Sequence, residues 1–329
     1  MARTDTLGNF LTDVADAIRE KKGTSEAIIA SDFDTEIASI PSGGGDIPEK
    51  GAVFTEWNSN GFPTKARVVG LTTIPAYYLS SGGSGFLSRI NTIDLPSTAT
   101  VIDQNAFYYN SELTTVNMPN TLTAINQMAF RNCSLLVLTS LPSSLTTLQQ
   151  FAFTGCSNIS LTSLPEGITK IGQYTFQNCT KLALTSLPSG LTQLDTSAFQ
   201  NCSKLNITSI PEGVQRISTT CFYSCSNLKK IYMNPTQIDG GNSSGGAFQY
   251  CSNLKQVWIG SNITSIGRYA FYKCNKLEKM YINLPRATVE AITNYQYAFM
   301  SDESKTGIIV CNDDSDFITK EEFDELVVE

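Results

Sequence analysis

No histidine occurs in the 329-residue chain. This excludes Ser-His-Asp triads, Cys-His pairs and the zinc sites that use imidazole. An enzyme built on this chain would have to work with carboxylates, Lys, Tyr or Cys alone. No stretch of 18 apolar residues is present either, so insertion into a membrane is not expected. Basic residues are few and scattered: 23 Lys and Arg against 30 Asp and Glu give a net charge of −7. Without cations gathered on one face, a nucleic-acid partner is excluded. The first residues, MARTDTLGNFLTDVADAIREKKG, mix acids among their apolar positions and lack the basic start and apolar core of a secretory signal. The sequence as given therefore implies synthesis and folding in the cytosol, an expectation that an upstream leader would reverse.

What is abundant is phenylalanine in register. Phe107, Phe130, Phe153, Phe176, Phe199 and Phe222 stand 23 residues apart, and Phe248 and Phe271 continue the series after a three-residue insertion. Three residues beyond each comes Cys133, Cys156, Cys179, Cys202, Cys225, Cys251 or Cys274, with Asn110 in the first copy. A fixed period in the twenties marks small units stacked along an axis, each burying its apolar face on its neighbours. In the copy around Phe130, Leu136 to Leu141 is short, apolar and β-prone, and Pro142 ends it, so a strand is expected there. The spacing of Ala129-Phe130-x-x-Cys133-x-x-Leu136 is helical but brief, which predicts a short helix or 3₁₀ turn. One strand per unit followed by the same connection predicts a parallel sheet along one side of the stack.

Outside the repeats the chain divides into four further parts. Residues 1–40 read as a helical anchor module, with Leu7, Phe10, Leu11, Val14 and Ile18 forming one apolar stripe. A second short helix is expected from near Ser31. Residues 41–46 are a Gly-rich linker. Residues 47–100 form an N-terminal cap and degenerate repeat with a strand around Arg67–Gly70, residues 101–285 carry the regular repeats, and residues 286–329 are a C-terminal cap with an acidic helix.

The unit resembles the leucine-rich repeats of the BspA or Treponema type, with the pattern L-x-x-I-x-I-P-x-x-(V/L)-x-x-I-x-x-x-A-F-x-x-C-x-x-L. Leu228-Lys229-Lys230-Ile231-Tyr232-Met233 and Ile263-Thr264-Ser265-Ile266-Gly267-Arg268-Tyr269-Ala270-Phe271-Tyr272-Lys273-Cys274 fit it nearly position by position. Four central copies depart, as Leu136-Val137-Leu138-Thr139-Ser140-Leu141-Pro142 does. The resemblance implies an α/β leucine-rich-repeat solenoid with short helical turns. The leader is similar to the start of structural proteins of tailed phages and prophages of gut Firmicutes, on Thr6-Leu7-Gly8-Asn9-Phe10-Leu11-Thr12-Asp13-Val14-Ala15-Asp16-Ala17-Ile18-Arg19, Lys22-Gly23-Thr24 and Ala30-Ser31-Asp32-Phe33-Asp34. This second resemblance implies a helix that docks on a virion tail component.

Most of the conspicuous residues are absorbed by the stack. Seven cysteines in one register are expected to form a ladder of buried thiols, since parallel Cβ vectors suit disulfide torsions badly. Cys311 lies outside that ladder and is expected to be the most accessible thiol. Asp313-Asp314-Ser315-Asp316 resembles the start of a calcium loop but lacks the turn glycine and is one residue short of the acidic closing position. A helix capped by Thr319 and Glu322 is the simpler reading. What remains is aromatic: Tyr108, Tyr109, Tyr223, Tyr232, Tyr250, Trp258 and Tyr272 fall where side chains should face solvent. The central copies carry Gln, Asn, Thr and Gly at matching places. Such rings supply large contact area with few rotors, or pack the edges of irregular repeats.

These observations point to a non-enzymatic recognition or adhesion protein that needs no cofactor and no metal. Its expected partner is a protein or glycan on a host cell surface. Two settings are open: a phage tail or baseplate-associated protein located in the virion, or a BspA-like adhesin at the bacterial cell surface. A carbohydrate-active enzyme is the third reading, and a homo-oligomer is left open.

Overall fold

The computed structural model describes residues 51–58, 63–75, 90–241, 245–292, 298 and 308–327. The anchor module and linker, with Leu7, Phe10, Leu11, Val14 and Ile18, lie outside the described residues.

The repeating Phe residues form the spine. Phe107 through Phe271 are buried and stack ring on ring, with centroids 5.0 Å to 5.8 Å apart. That spacing matches the distance of about 4.8 Å between neighbouring strands, so one ring per turn fills the interior without gaps. The cysteines have their own reason for being cysteines. Each thiol of the ladder donates to the carbonyl of the Phe one turn earlier, as Cys133 does to Phe107 (3.1 Å), Cys156 to Phe130 (2.9 Å) and Cys202 to Phe176 (3.0 Å). The side chain is thus a small hydrophobe that also satisfies a buried acceptor.

All nine cysteines are free and buried. Burial pushes the thiols of Cys179, Cys202 and Cys225 well above their ordinary range, which suppresses the reactive thiolate. The expected result is that the native protein resists alkylation at mildly alkaline pH, whereas the unfolded, non-reduced protein titrates all nine thiols. Recovery of markedly fewer thiols after unfolding would refute the ladder. Cys311 does not behave as expected from the sequence: it is fully buried, because it ends the strand Ile309–Cys311 and pairs with Ile282 inside the stack.

Two parallel ladders run along the solenoid. A ladder of short strands comprises Thr73–Ile74, Val101–Ile102, Ala124–Ile125 and Thr147–Leu148, then Lys170–Ile171, Gln193–Leu194, Arg216–Ile217, Gln237–Ile238 and Ser265–Ile266. A ladder of longer strands holds Pro63–Val69, Thr92–Asp94 and Thr115–Asn117 at one end. At the other end it holds Lys230–Met233, Gln256–Ile259, Lys279–Ile282 and Ile309–Cys311. The first strand of the structure, Gly51–Trp57, pairs antiparallel with Pro63–Val69.

The longer ladder is missing from the four central copies, so Leu136–Leu141 is not the strand its composition suggested. The cause is a one-residue displacement. Where the strand forms, the inward residues are two apart, as Ile231 and Met233 or Val257 and Ile259 are, which is the alternation a strand requires. In the central copies the inward residues are three apart, Leu161 and Leu164 or Leu184 and Leu187, with Thr162-Ser163 and Thr185-Ser186 both exposed between them. Two successive outward residues cannot alternate, and the chain leaves strand geometry.

The segment around each Phe is likewise not a helix. It is a chain of turns in which residues two before and two after the Phe take positive φ, for example Met128 (56°) and Asn132 (63°) around Phe130. Alternate residues donate to the next turn of the solenoid: Met128 to Gln150, Phe130 to Ala152 and Asn132 to Thr154. The left-handed residues break helical geometry while aiming these N–H groups along the stack. Asn132, Gly155, Asn178 and Asn201 occupy the second left-handed position, which suits the residue types that adopt it at least cost.

Candidate functional site

The sequence-predicted aromatics separate into three places. In the first, Tyr108 and Tyr109 meet edge to face at 4.4 Å, and Tyr109 is 47% exposed. Arg131 lies over both Tyr108 (5.8 Å) and Phe151 (5.5 Å), and Phe151 stacks on Tyr174 at 4.7 Å. In the second, Tyr223, Tyr250 and Tyr272 form a continuous edge, with centroids 5.2 Å and 6.1 Å apart. Tyr269 joins Tyr272 at 5.4 Å, and the Lys273 ammonium sits 5.3 Å over the Tyr272 ring. Tyr250 is 39% exposed. Burial, and then the neighbouring Tyr250, push the Tyr223 phenol upward.

Tyr232 and Trp258 belong to neither group. They are only 7% and 5% exposed, packed with Tyr281, Val310 and Phe323 beneath the C-terminal segment. Their strand positions do point outward, as the repeat requires, but residues 317–326 cover that face. The Trp258 indole N–H donates to the carbonyl of Ile318 at 3.1 Å, and the Tyr232 hydroxyl donates to Glu212. Lys230 donates to the carbonyls of Phe323, Asp324 and Leu326, closing the C-terminal end of the helix Lys320–Glu325. At its other end Thr319 and Glu322 form the expected capping box. These two aromatics are therefore packing residues.

Phe151, Tyr174 and Tyr269 were not singled out in the sequence. Each lies two residues before a repeat Phe, and Phe151 and Tyr174 are one period apart; that shared register was the available signal. Among the described residues, no group of three or more Cys, Asp or Glu is placed to hold a metal ion, and no helix is long and apolar enough to cross a membrane.

Stacked turns with parallel ladders, a Phe spine and a Leu/Ile lining define a leucine-rich-repeat solenoid. A family model described as BspA type leucine rich repeat region matches residues 84–206, 125–244, 152–278, 181–306 and 243–324. The chain belongs to that family. Among solved structures, a leucine-rich repeat protein from Bacteroides ovatus is similar with a TM-score of 0.51 and 23% identity, over 72% of this chain and 70% of that one. A leucine rich cell surface protein from Faecalibacterium prausnitzii has a TM-score of 0.40 and 19% identity, over 75% of this chain and 97% of that one. The pneumococcal vaccine antigen PcpA has a TM-score of 0.42 and 18% identity, over 74% of each chain. The likeness is one of fold. No curated protein sequence matches the chain.

Proposed function

We propose that the protein is a non-enzymatic recognition protein that attaches to a cell surface through the tyrosine edge Tyr223–Tyr250–Tyr272. One observation carries this reading. Tyr250 has φ 62° in the left-handed position that Asn132, Gly155, Asn178 and Asn201 occupy in the central copies and Tyr109, Ser224 and Lys273 in the outer ones. A bulky side chain there costs stability relative to Asn or Gly, and its ring, between Tyr223 and Tyr272, stays 39% exposed. A residue that the scaffold disfavours and exposes is suited to contact.

The partner is a protein or glycan of a host cell surface, met by large rings with few rotors. The leader at residues 1–40 favours a setting in which that module docks on a phage tail or baseplate and the solenoid meets the host. Several copies on one particle would then add avidity. Membership of the BspA-type family supports the second setting, an adhesin of the bacterial surface.

Beads coated with the full chain test the reading against two targets, gut Firmicutes cells and mucosal epithelial cells. Adherence is expected to fall by about tenfold or more in the Tyr223→Ala/Tyr250→Ala/Tyr272→Ala variant, as for loss of central aromatic contacts. Adherence to bacteria favours the phage setting, and adherence to epithelium the adhesin. Equal adherence of variant and wild type, or none to either target, would reject the tyrosine edge.

A further inference from the structure

The short-strand ladder is interrupted at one junction; at a second, Leu194 still pairs with Ile217, although the N–H groups of Gln215, Arg216 and Ser218 reach no main-chain acceptor among the described residues. At the junction before the interruption the turns are sewn together: Thr146 and Thr147 donate main-chain N–H groups to Thr123, and Gln149 donates to Ile125. Between the next two turns the equivalent bonds are absent. Thr147–Leu148 and Lys170–Ile171 end two separate sheets, and the N–H groups of Thr169, Lys170 and Gly172 have no acceptor among the described residues. The side chains repeat the pattern. The hydroxyls of Thr100, Thr123, Thr146, Thr192, Thr236 and Thr264 each donate to a carbonyl of the preceding turn, whereas Thr169 makes no such bond.

The gap is a cleft of about 510 Å³, lined by residues 146–150, 169, 170, 172, 173 and 195. That volume lies in the range of small-ligand sites. Its chemistry narrows the ligand class. Gln149, Gln150 and Gln173 are exposed around it and offer amide donors and acceptors. The single cation, Lys170, is 3.5 Å from Asp195, so the site has no surplus charge for an anion. Its one apolar lining residue, Leu148, is buried in the core, so the apolar part of its surface comes from the stems of Thr, Gln and Lys side chains. The flanking strands are two residues long, too short an edge for an added peptide strand. Phe151 and Tyr174, half-buried and stacked, directly follow Gln150 and Gln173.

We infer that this cleft binds a neutral oligosaccharide, whose hydroxyls meet the unpaired main-chain groups of Thr169, Lys170 and Gly172 and the amides of Gln150 and Gln173. A sugar hydroxyl both donates and accepts, which suits a rim carrying both kinds of group. The inference is independent of the tyrosine edge.

The test is made on the full, isotope-labelled chain by NMR. In the free protein, the amides of Thr169, Lys170 and Gly172 should exchange with solvent much faster than those of Thr146, Thr147 and Gln149. Maltotriose, cellotriose, chitotriose and mannotriose are then titrated in turn. At least one should shift the Thr169, Lys170 and Gly172 resonances, with affinity reduced about tenfold or more in Gln150→Ala/Gln173→Ala, as for two lost hydrogen bonds, and unchanged in Tyr250→Ala. Slow exchange of the three amides would show a closed ladder and overturn the proposal. So would the absence of binding by all four sugars, binding that survives the double substitution, or shifts produced only by a peptide or a sulfated sugar.

Discussion

Replacing Phe176 with Ala is expected to lower stability by about 3–5 kcal/mol, the range for truncating a buried Phe. Phe176 is fully buried between Phe153 at 5.8 Å and Phe199 at 5.6 Å, with interplanar angles of 8° and 5°. Its neighbours cannot slide together to refill the space, because they are held by main-chain bonds such as Phe153 N–H to Thr175 O and Phe199 N–H to Cys221 O. The cavity term should therefore remain in full. Its carbonyl also accepts the Cys202 thiol, so a shift of the backbone would disturb a second turn. In a solenoid each turn contacts only its neighbours, and damage at the middle weakens two interfaces at once. Denaturant unfolding of the variant measures the loss. An unchanged midpoint would mean that the Phe series is not the core.

Trp258→Ala should have an effect of similar size, about 3–5 kcal/mol, but with a different distribution. Trp258 stacks on Tyr232 at 5.1 Å, approaches Phe317 at 6.4 Å and donates its indole N–H to Ile318. Truncation removes the ring and the bond to the partly buried carbonyl of Ile318. The segment 313–327 is held to the solenoid by these contacts, by Lys230 and by the Lys279–Asp316 ion pair, which is exposed and contributes little. Limited proteolysis of the variant should thus cut within 313–327 well before the repeats. Cleavage first among the central repeats would show that this segment is not anchored by Trp258.

The periodic part of the fold was legible because stacking places the same side chain in the same environment at every turn. Phe, Cys and Leu could be assigned to the interior from spacing alone. The central strands were misread because Leu136-Val137-Leu138 is as apolar and β-prone as Ile231-Tyr232-Met233, which does form a strand. The one-residue move of the inward side chain, from Ile231's position to Leu138's, decides between strand and non-strand. The turn segments imitate helical spacing, and only the Asn and Gly two residues after the Phe betrayed the left-handed backbone. Tyr232 and Trp258 were placed on the outward face of their strands correctly, yet the cover comes from some 60 residues downstream, as the Trp258–Ile318 bond shows. Cys311 was misplaced for the same reason, since its strand joins the end of the ladder across a long connection. The cleft between residues 146–150 and 169–173 had no signature at all: both turns have ordinary repeat sequences, and only the missing main-chain bonds reveal it.

The tyrosine edge is proposed to serve contact and not the scaffold. Tyr250→Asn tests this most directly, because it restores the residue that the same backbone position carries at Asn132, Asn178 and Asn201. Asn tolerates the left-handed conformation better than Tyr, so the variant is expected to be unaltered or up to about 1 kcal/mol more stable, while adherence of coated beads falls. A variant that is clearly less stable than the wild type and adheres as well would contradict the account, and would make Tyr250 one more packing residue of the stack.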